Sequence, residues 1–173
     1  MFYSGFADEA GTPIAEQIRA QKTLGWNHIE VRMLPEGNFT EVDDAVFDKA
    51  LAELQKAGIK ISCFGGPIAN WARHIDKDFQ ADIATLKRAV PRMKKANCSI
   101  MRIMSWPNSE TKPLSDADWK KEVLRRMKIL AKMAEDGGIT LGLENCSGWS
   151  GETPENMVAT LETIRTPSLK IIY

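Results

Sequence analysis

The chain has 173 residues, 43% of them hydrophobic and 27% charged, and its 23 basic side chains balance its 23 acidic ones. That length suits one domain with a well-covered core, expected here to span 1–173, and argues against two. A balanced charge sets up no global field toward nucleic acid or an anionic membrane. With no basic leader and no apolar run near the roughly 18 residues of a membrane span, the expectation is a cytoplasmic protein. Cys63, Cys98 and Cys146 are odd in number and far apart, a pattern of buried reduced thiols rather than of a disulfide framework or a zinc site.

In chain order, short apolar runs alternate with longer amphipathic ones. Residues 2–7 are expected as a first strand, after which Thr12-Pro13 reads as a cap with proline in the first helical turn and Gly25 as the stop. Residues 28–34 are the second strand. The spacing of Val46, Phe47, Ala50, Leu51 and Leu54 predicts a helix from about 43 to Gly58. Strand three is 59–65. Residues 78–97 read as a helix with Ile83, Leu86, Ala89, Val90 and Met93 on one stripe and a bend at Pro91. Strand four is 100–106. Ser115 with Asp118 resembles a capping box, opening a helix that buries Trp119, Val123, Leu124, Met127, Leu130 and Ala134 and ends at Gly137-Gly138. Residues 139–146 form strand five, Thr153-Pro154 caps a helix to about Arg165, and 169–173 is strand six.

Strict alternation of this kind implies a parallel sheet covered by helices. It fits either an open doubly wound sheet or a partial (β/α)8 TIM barrel with five βα units plus a sixth strand. The strand faces favour the barrel. Glu30 and Arg32 share one face of strand two against Ile29, Val31 and Met33; Arg102 faces away from Met101 and Ile103; Glu144 faces away from Leu141 and Leu143. An open sheet with helices on both sides is apolar on both faces, whereas the top layer of a barrel interior can be a polar site. The two acids and two bases are read as that site, because structural ion pairs rarely repay their own desolvation.

The segments GFADEAGTPIAEQIRAQKTLGWNHIEVR, FGGPIANW, LKRAVPRMKKANCSIMRIMSW and LENCSGWSG, in this order and spacing, resemble the sugar phosphate isomerase/epimerase family, a xylose isomerase-like TIM barrel. The resemblance runs along the whole chain and is weak on substrate. It implies that Glu144 is a ligand of a divalent metal (Mn, Mg, Co or Zn) and one of two acid/base carboxylates. It also implies that Glu30 and Arg32 line the sugar site, that Arg102 binds a substrate oxygen or phosphate, and that Trp106 and Trp149 cover the sugar's apolar face. The family's later ligands follow strands six, seven and eight, beyond Tyr173, so roughly the last third of a barrel is expected to be missing. The chain by itself is then expected to bind little or no metal, to be inactive or nearly so, and to self-associate through the exposed edges of strands one and six.

The implied activity is isomerisation or epimerisation of a sugar or sugar phosphate by proton abstraction next to a carbonyl. An inosose dehydratase-type lyase of the same superfamily and a noncatalytic folded fragment are the alternatives. An endonuclease IV-type DNA repair enzyme is disfavoured, because the loops after the strands are acidic, with Arg73, Lys77 and Lys112 as their only fixed cations. The basic clusters at 92–95 and 125–128 read as solvated helix faces. Asp8-Glu9 reads either as substrate-facing or as an acidic lead-in to the first helix, the second being favoured.

Overall fold

A computed structural model describes residues 1–172; Tyr173, the last residue of the expected sixth strand, lies outside them. The helices are α1 (Ile14–Thr23), α2 (Asp44–Lys56), α3 (Gln80–Lys95), α4 (Asp116–Gly137) and α5 (Pro154–Ile164). The strands are β1 (His28–Val31), β2 (Met33–Leu34), β3 (Gly37–Asn38), β4 (Lys60–Gly65), β5 (Ile100–Ser105), β6 (Thr140–Gly148) and β7 (Leu169–Ile172). Five of them form one sheet in the order β1-β4-β5-β6-β7, in which sequence order is spatial order, as β-α crossovers dictate. Residues of the chain cluster into two compact units: Met1–Gly66 with Pro91–Ile100, and Pro67–Val90 with 101 onward.

In the first unit β1 and β4 pair in parallel, with a register shift between Ile29 and Glu30. The expected first strand does not form. Residues 2–7 contribute a parallel bridge, Phe6 to Glu30, with a hydrogen bond from the Glu30 amide to the Gly5 carbonyl. Side chains hold the segment instead. Phe2 stacks on His28 at 3.9 Å and Tyr3 on Trp26 at 5.6 Å, and Ala7–Glu9 then turns into a 3-10 helix. The expected strand 28–34 is also divided. Arg32 leaves the ladder, its carbonyl accepting from the Phe39 amide, and β2 folds back on β3 as a short antiparallel hairpin around Pro35-Glu36. Phe39, Phe47 and Phe64 pack edge to face in the core, where aromatic burial contributes most per residue.

In the second unit β6 and β7 pair in parallel from Leu141–Leu169 to Glu144–Ile172. Two of the three caps read from the sequence are formed, Ser115 Oγ accepting from the Asp118 amide and Thr153 Oγ1 from the Asn156 amide; the expected Thr12 cap is not, since α1 begins at Ile14 with Pro13 at its N-cap and no side-chain cap hydrogen bond. α4 buries Trp119, Val123, Met127, Leu130 and Ala134 as its periodicity requires. One member of each basic cluster departs from the solvated reading. In the first unit Arg92 is buried and donates to the Phe39 and Val42 carbonyls and to Asp44, its guanidinium lying over Phe47. In the second, Arg126 is buried, donating to the Ile75 carbonyl at 2.6 Å and to Glu122 at 2.8 Å. Among the described residues no helix is long and apolar enough to cross a membrane.

The Arg125 guanidinium, hydrogen-bonded to Glu122, outweighs partial burial and, with Arg126, holds that carboxyl down from 4.5 to about 2. A carboxyl depressed in the folded state contributes stability that is complete above its unfolded value and drains away as pH falls through the folded one. Glu122→Gln is therefore expected to flatten the loss of stability between pH 4.5 and about 2. Urea midpoints at about pH 6 and about pH 3 check this; equal pH slopes for variant and parent would contradict it.

Candidate functional site

Neighbouring strands β5 and β6 carry the best-defined pair of site residues. β5 is buried from Met101 to Ser105 on both faces, so Arg102 sits at 5% exposure among Met101, Ile103 and Met104. Its Nε lies 3.7 Å from Glu144 Oε2, an ion-pair distance longer than a hydrogen bond, and the glutamate side chain keeps 29% of its surface open. Glu144 also pairs with Ile172 of β7. One partner is thus a buried cation and the other a carboxylate that solvent, or a ligand, can reach.

The segment after Glu144 is tightly built, contrary to what two glycines in LENCSGWSG suggest. Gly148 lies at φ +105°, against the backbone of Ser105, and Gly151 donates its amide to Ser105 Oγ at 3.0 Å. A Cβ at Gly151 would collide with the Cys146 carbonyl and meet the Glu144 carbonyl. Both glycines therefore serve close backbone approach rather than looseness. Ser150 Oγ and Thr160 Oγ1 are 2.8 Å apart, and Asn156 Nδ2 donates to the Trp149 carbonyl, so the turn is pinned to α5.

Both tryptophans of the expected site lie inside the protein. Trp149 is buried and donates Nε1–H to Asp116 at 3.1 Å, with the Lys120 ammonium 5.2 Å from its ring. Trp106 is 0% exposed and donates Nε1–H to Asp82 Oδ2 at 2.7 Å, and its carbonyl accepts from Trp119. Asp82 also accepts from the Ala69 amide and from Arg73. Ala69 and Trp106 both hold positive φ, 56° and 53°, a conformation costly for residues other than glycine and retained where surroundings over-determine it.

In the first unit Glu30 is half-buried on β1, close enough to Cys98 that its charge adds to burial in pushing that thiol up, against a hydrogen bond to the Ile100 carbonyl. Arg32 is tied to Asp8, Nε to Oδ2 at 2.8 Å, and to Glu9 at 3.3 Å, with its guanidinium 4.6 Å from the Phe6 ring. Asp8 and Glu9 are therefore partners of Arg32 rather than only a lead-in to α1. Asp8 Oδ1 is buried without a hydrogen-bond partner. No local pattern could have revealed this pairing, because 24 residues separate Asp8 from Arg32.

Among the described residues no three His, Cys, Asp or Glu side chains come together as a metal-holding group. Glu144 offers one carboxylate beside a guanidinium, so the residues present do not by themselves make a divalent metal site.

Strands joined by helices, with sequence order as spatial order across the sheet, are the arrangement of a β/α-barrel chain. This chain belongs to the xylose isomerase-like TIM barrel family, whose family model matches residues 18–173. Among solved structures it is similar to a xylose isomerase-like TIM barrel protein from Mycobacterium smegmatis in complex with magnesium, at 15% identity and a TM-score of 0.72, over 98% of this chain and 63% of that one. It is similar to the IOLI protein with a binding zinc atom, at 16% identity and TM-score 0.74, over 99% of this chain and 62% of the other. It is also similar to 3-keto-D-glucoside 4-epimerase from E. coli, at 14% identity and TM-score 0.74, over 99% and 67%. At these identities the likeness is one of fold. The chain spans 62% to 67% of the length of these three structures. No curated protein sequence matches it.

Gly151→Ala is expected to force the 144–146 backbone outward and to cost about 1–3 kcal/mol of stability, the usual scale for overpacking. Chemical denaturation measures it, and an unchanged midpoint would show that the turn yields freely.

Proposed function

We propose that the protein acts on a small sugar or sugar phosphate, moving a proton at the carbon next to the carbonyl as an isomerase or epimerase does. Glu144 is the carboxylate that takes the proton. The observation that carries the reading is the reachable Glu144 carboxylate held 3.7 Å from a buried Arg102. Membership of the family supports it, as does similarity to a structure described as a sugar epimerase.

Removing a proton beside a carbonyl leaves negative charge on the carbonyl oxygen, and the reaction is feasible near neutral pH only if that charge is met by fixed positive charge or donors. Arg102 supplies a permanent cation in a low-dielectric setting, where it acts more strongly than in water. In this reading it holds a substrate oxygen or phosphate while Glu144 takes the proton and returns it to the same or the adjacent carbon. For Glu30 and Arg32 the substrate-binding role rests on the family resemblance. Trp106 and Trp149, being enclosed, support the backbone around the site.

Solvent-deuterium exchange into ketoses and ketose phosphates reads the proton step without needing net turnover. Slow exchange above the buffer background is expected, reduced about 100-fold or to background in Glu144→Gln, the scale of losing a general base. Exchange that survives this substitution would sink the assignment. Glu144 is further proposed as one ligand of a divalent metal, but a single carboxylate holds such an ion weakly. Calorimetric titration with Mn²⁺ should show no stoichiometric site tighter than about 1 μM. A tighter site lost in Glu144→Gln would mean that residues of this chain complete it.

A further inference from the structure

We propose that Trp71 is the aromatic platform on which the sugar stacks. The inference rests on the function proposed above and deepens it by naming the residue that receives the sugar's apolar face. Of the five tryptophans in the sequence, Trp71 is the one that stands in solvent, at 57% exposure, while Trp106, Trp119 and Trp149 are buried and Trp26 is half-buried under Tyr3. Single exposed apolar side chains are common, and exposure alone argues little. The backbone beneath this one is the informative part.

Trp71 lies on the loop between β4 and α3, and every residue around it is fixed. The Asn70 amide donates to the Pro67 carbonyl and the Arg73 amide to the Asn70 carbonyl. Asn70 Oδ1 accepts from the Ala72 amide. Arg73 is bound to Asp82 at 2.8 Å and to Thr85 at 3.0 Å, and the Ala69 amide donates to the same Asp82. The indole is thus exposed on a backbone that is not free to move. Holding a large apolar ring in water on a clamped turn gains nothing for folding, and a ring fixed in advance loses little entropy when a ligand covers it.

Its position agrees with the site. Ile68 and Ala69 accept hydrogen bonds from the Met104 and Trp106 amides, which places this loop along the carboxyl end of β5. The residue between those two, Ser105, holds the Gly151 amide, and Gly151 packs against the Glu144 backbone. A continuous set of contacts within one compact unit therefore links the Trp71 turn to the backbone of Glu144. The C–H bonds on one face of a sugar ring form an apolar patch that suits an indole, while the hydroxyls at its edge suit Arg102 and Glu144.

The test follows the indole Nε1–H signals by NMR in the intact chain, with D-fructose and D-fructose 6-phosphate as probes and glycerol, which has hydroxyls but no ring face, as control. Removing Trp71 assigns its signal. The expected result is a saturable shift of the Trp71 signal with a ketose and none with glycerol. Trp71→Ala should weaken binding about three- to tenfold, the fold-change of one aromatic stack, and Trp71→Phe should recover it to within about twofold of the parent. Saturable ketose binding that leaves the Trp71 signal still and is unchanged in Trp71→Ala would overturn this inference while leaving the Glu144 assignment standing. Absence of saturable binding by either ketose would overturn it together with the proposed substrate class.

Discussion

The second compact unit depends on one buried carboxylate. Asp82, 2% exposed at the start of α3, takes hydrogen bonds from the Ala69 amide, the Arg73 guanidinium and the Trp106 indole. An ion in that position is costly unless its oxygens are filled, and charge-assisted bonds are the strong ones that fill them. The consequence is geometric. The same carboxylate ties the loop after β4 to the residue that closes β5, and it retains both in positive-φ conformations that neither would choose alone. Removing any one donor would leave a buried charge underpaired, so the arrangement is cooperative rather than a sum of three contacts.

From that anchor the support passes to the carboxylate proposed for chemistry. Trp106, locked through its indole, leaves the adjacent Ser105 hydroxyl aimed at the Gly151 amide. Gly151 in turn can pass beneath the Glu144–Cys146 backbone only because it has no side chain. Two kinds of device, a buried charge with three donors and a glycine under a carbonyl, thus fix the β6 segment over which Glu144 projects. Fixing a reacting group in advance is how a site lowers a barrier without reorganising during the reaction, and here the fixing groups lie on α3, β5 and the turn into α5.

The helices were legible in the sequence because their signals are local. Ser115 and Thr153 with Pro154 cap the helices they were expected to cap, and the apolar period of α4 coincides with its buried face. The first strand was not legible in the same way. Residues 2–7 have strand-like composition, but Phe2 and Tyr3 find partners in His28 and Trp26, and ring stacking takes the place of a ladder. Strand 28–34 was overextended because a hairpin centred on Pro35-Glu36 competes for its last residues. In the site, the pairing of Arg102 with Glu144 could be anticipated from alternation along two strands. The partnership of Arg32 with Asp8 and Glu9 could not, nor could the enclosure of Trp106 and Trp149, since each depends on segments distant in sequence.

The two buried arginines on helices, Arg92 and Arg126, show where reading by apolar period alone falls short. On α3 the buried positions Asp82, Thr85, Leu86, Ala89, Arg92 and Met93 follow helical spacing without a break, yet Asp82, Thr85 and Arg92 among them are polar. Asp82 and Arg92 each meet loop amides or carbonyls that need partners. Arg92 supplies donors to Phe39 and Val42, and on α4 Arg126 does so for Ile75. A charged residue in phase with a helix's apolar stripe is therefore a candidate for tying down a loop. A charged residue out of phase, such as Lys94 or Lys128, remains a solvated one. Phase, rather than residue type, separates the two cases, and the same criterion applied to α3 would have marked Asp82 as a structural anchor before any coordinate was known.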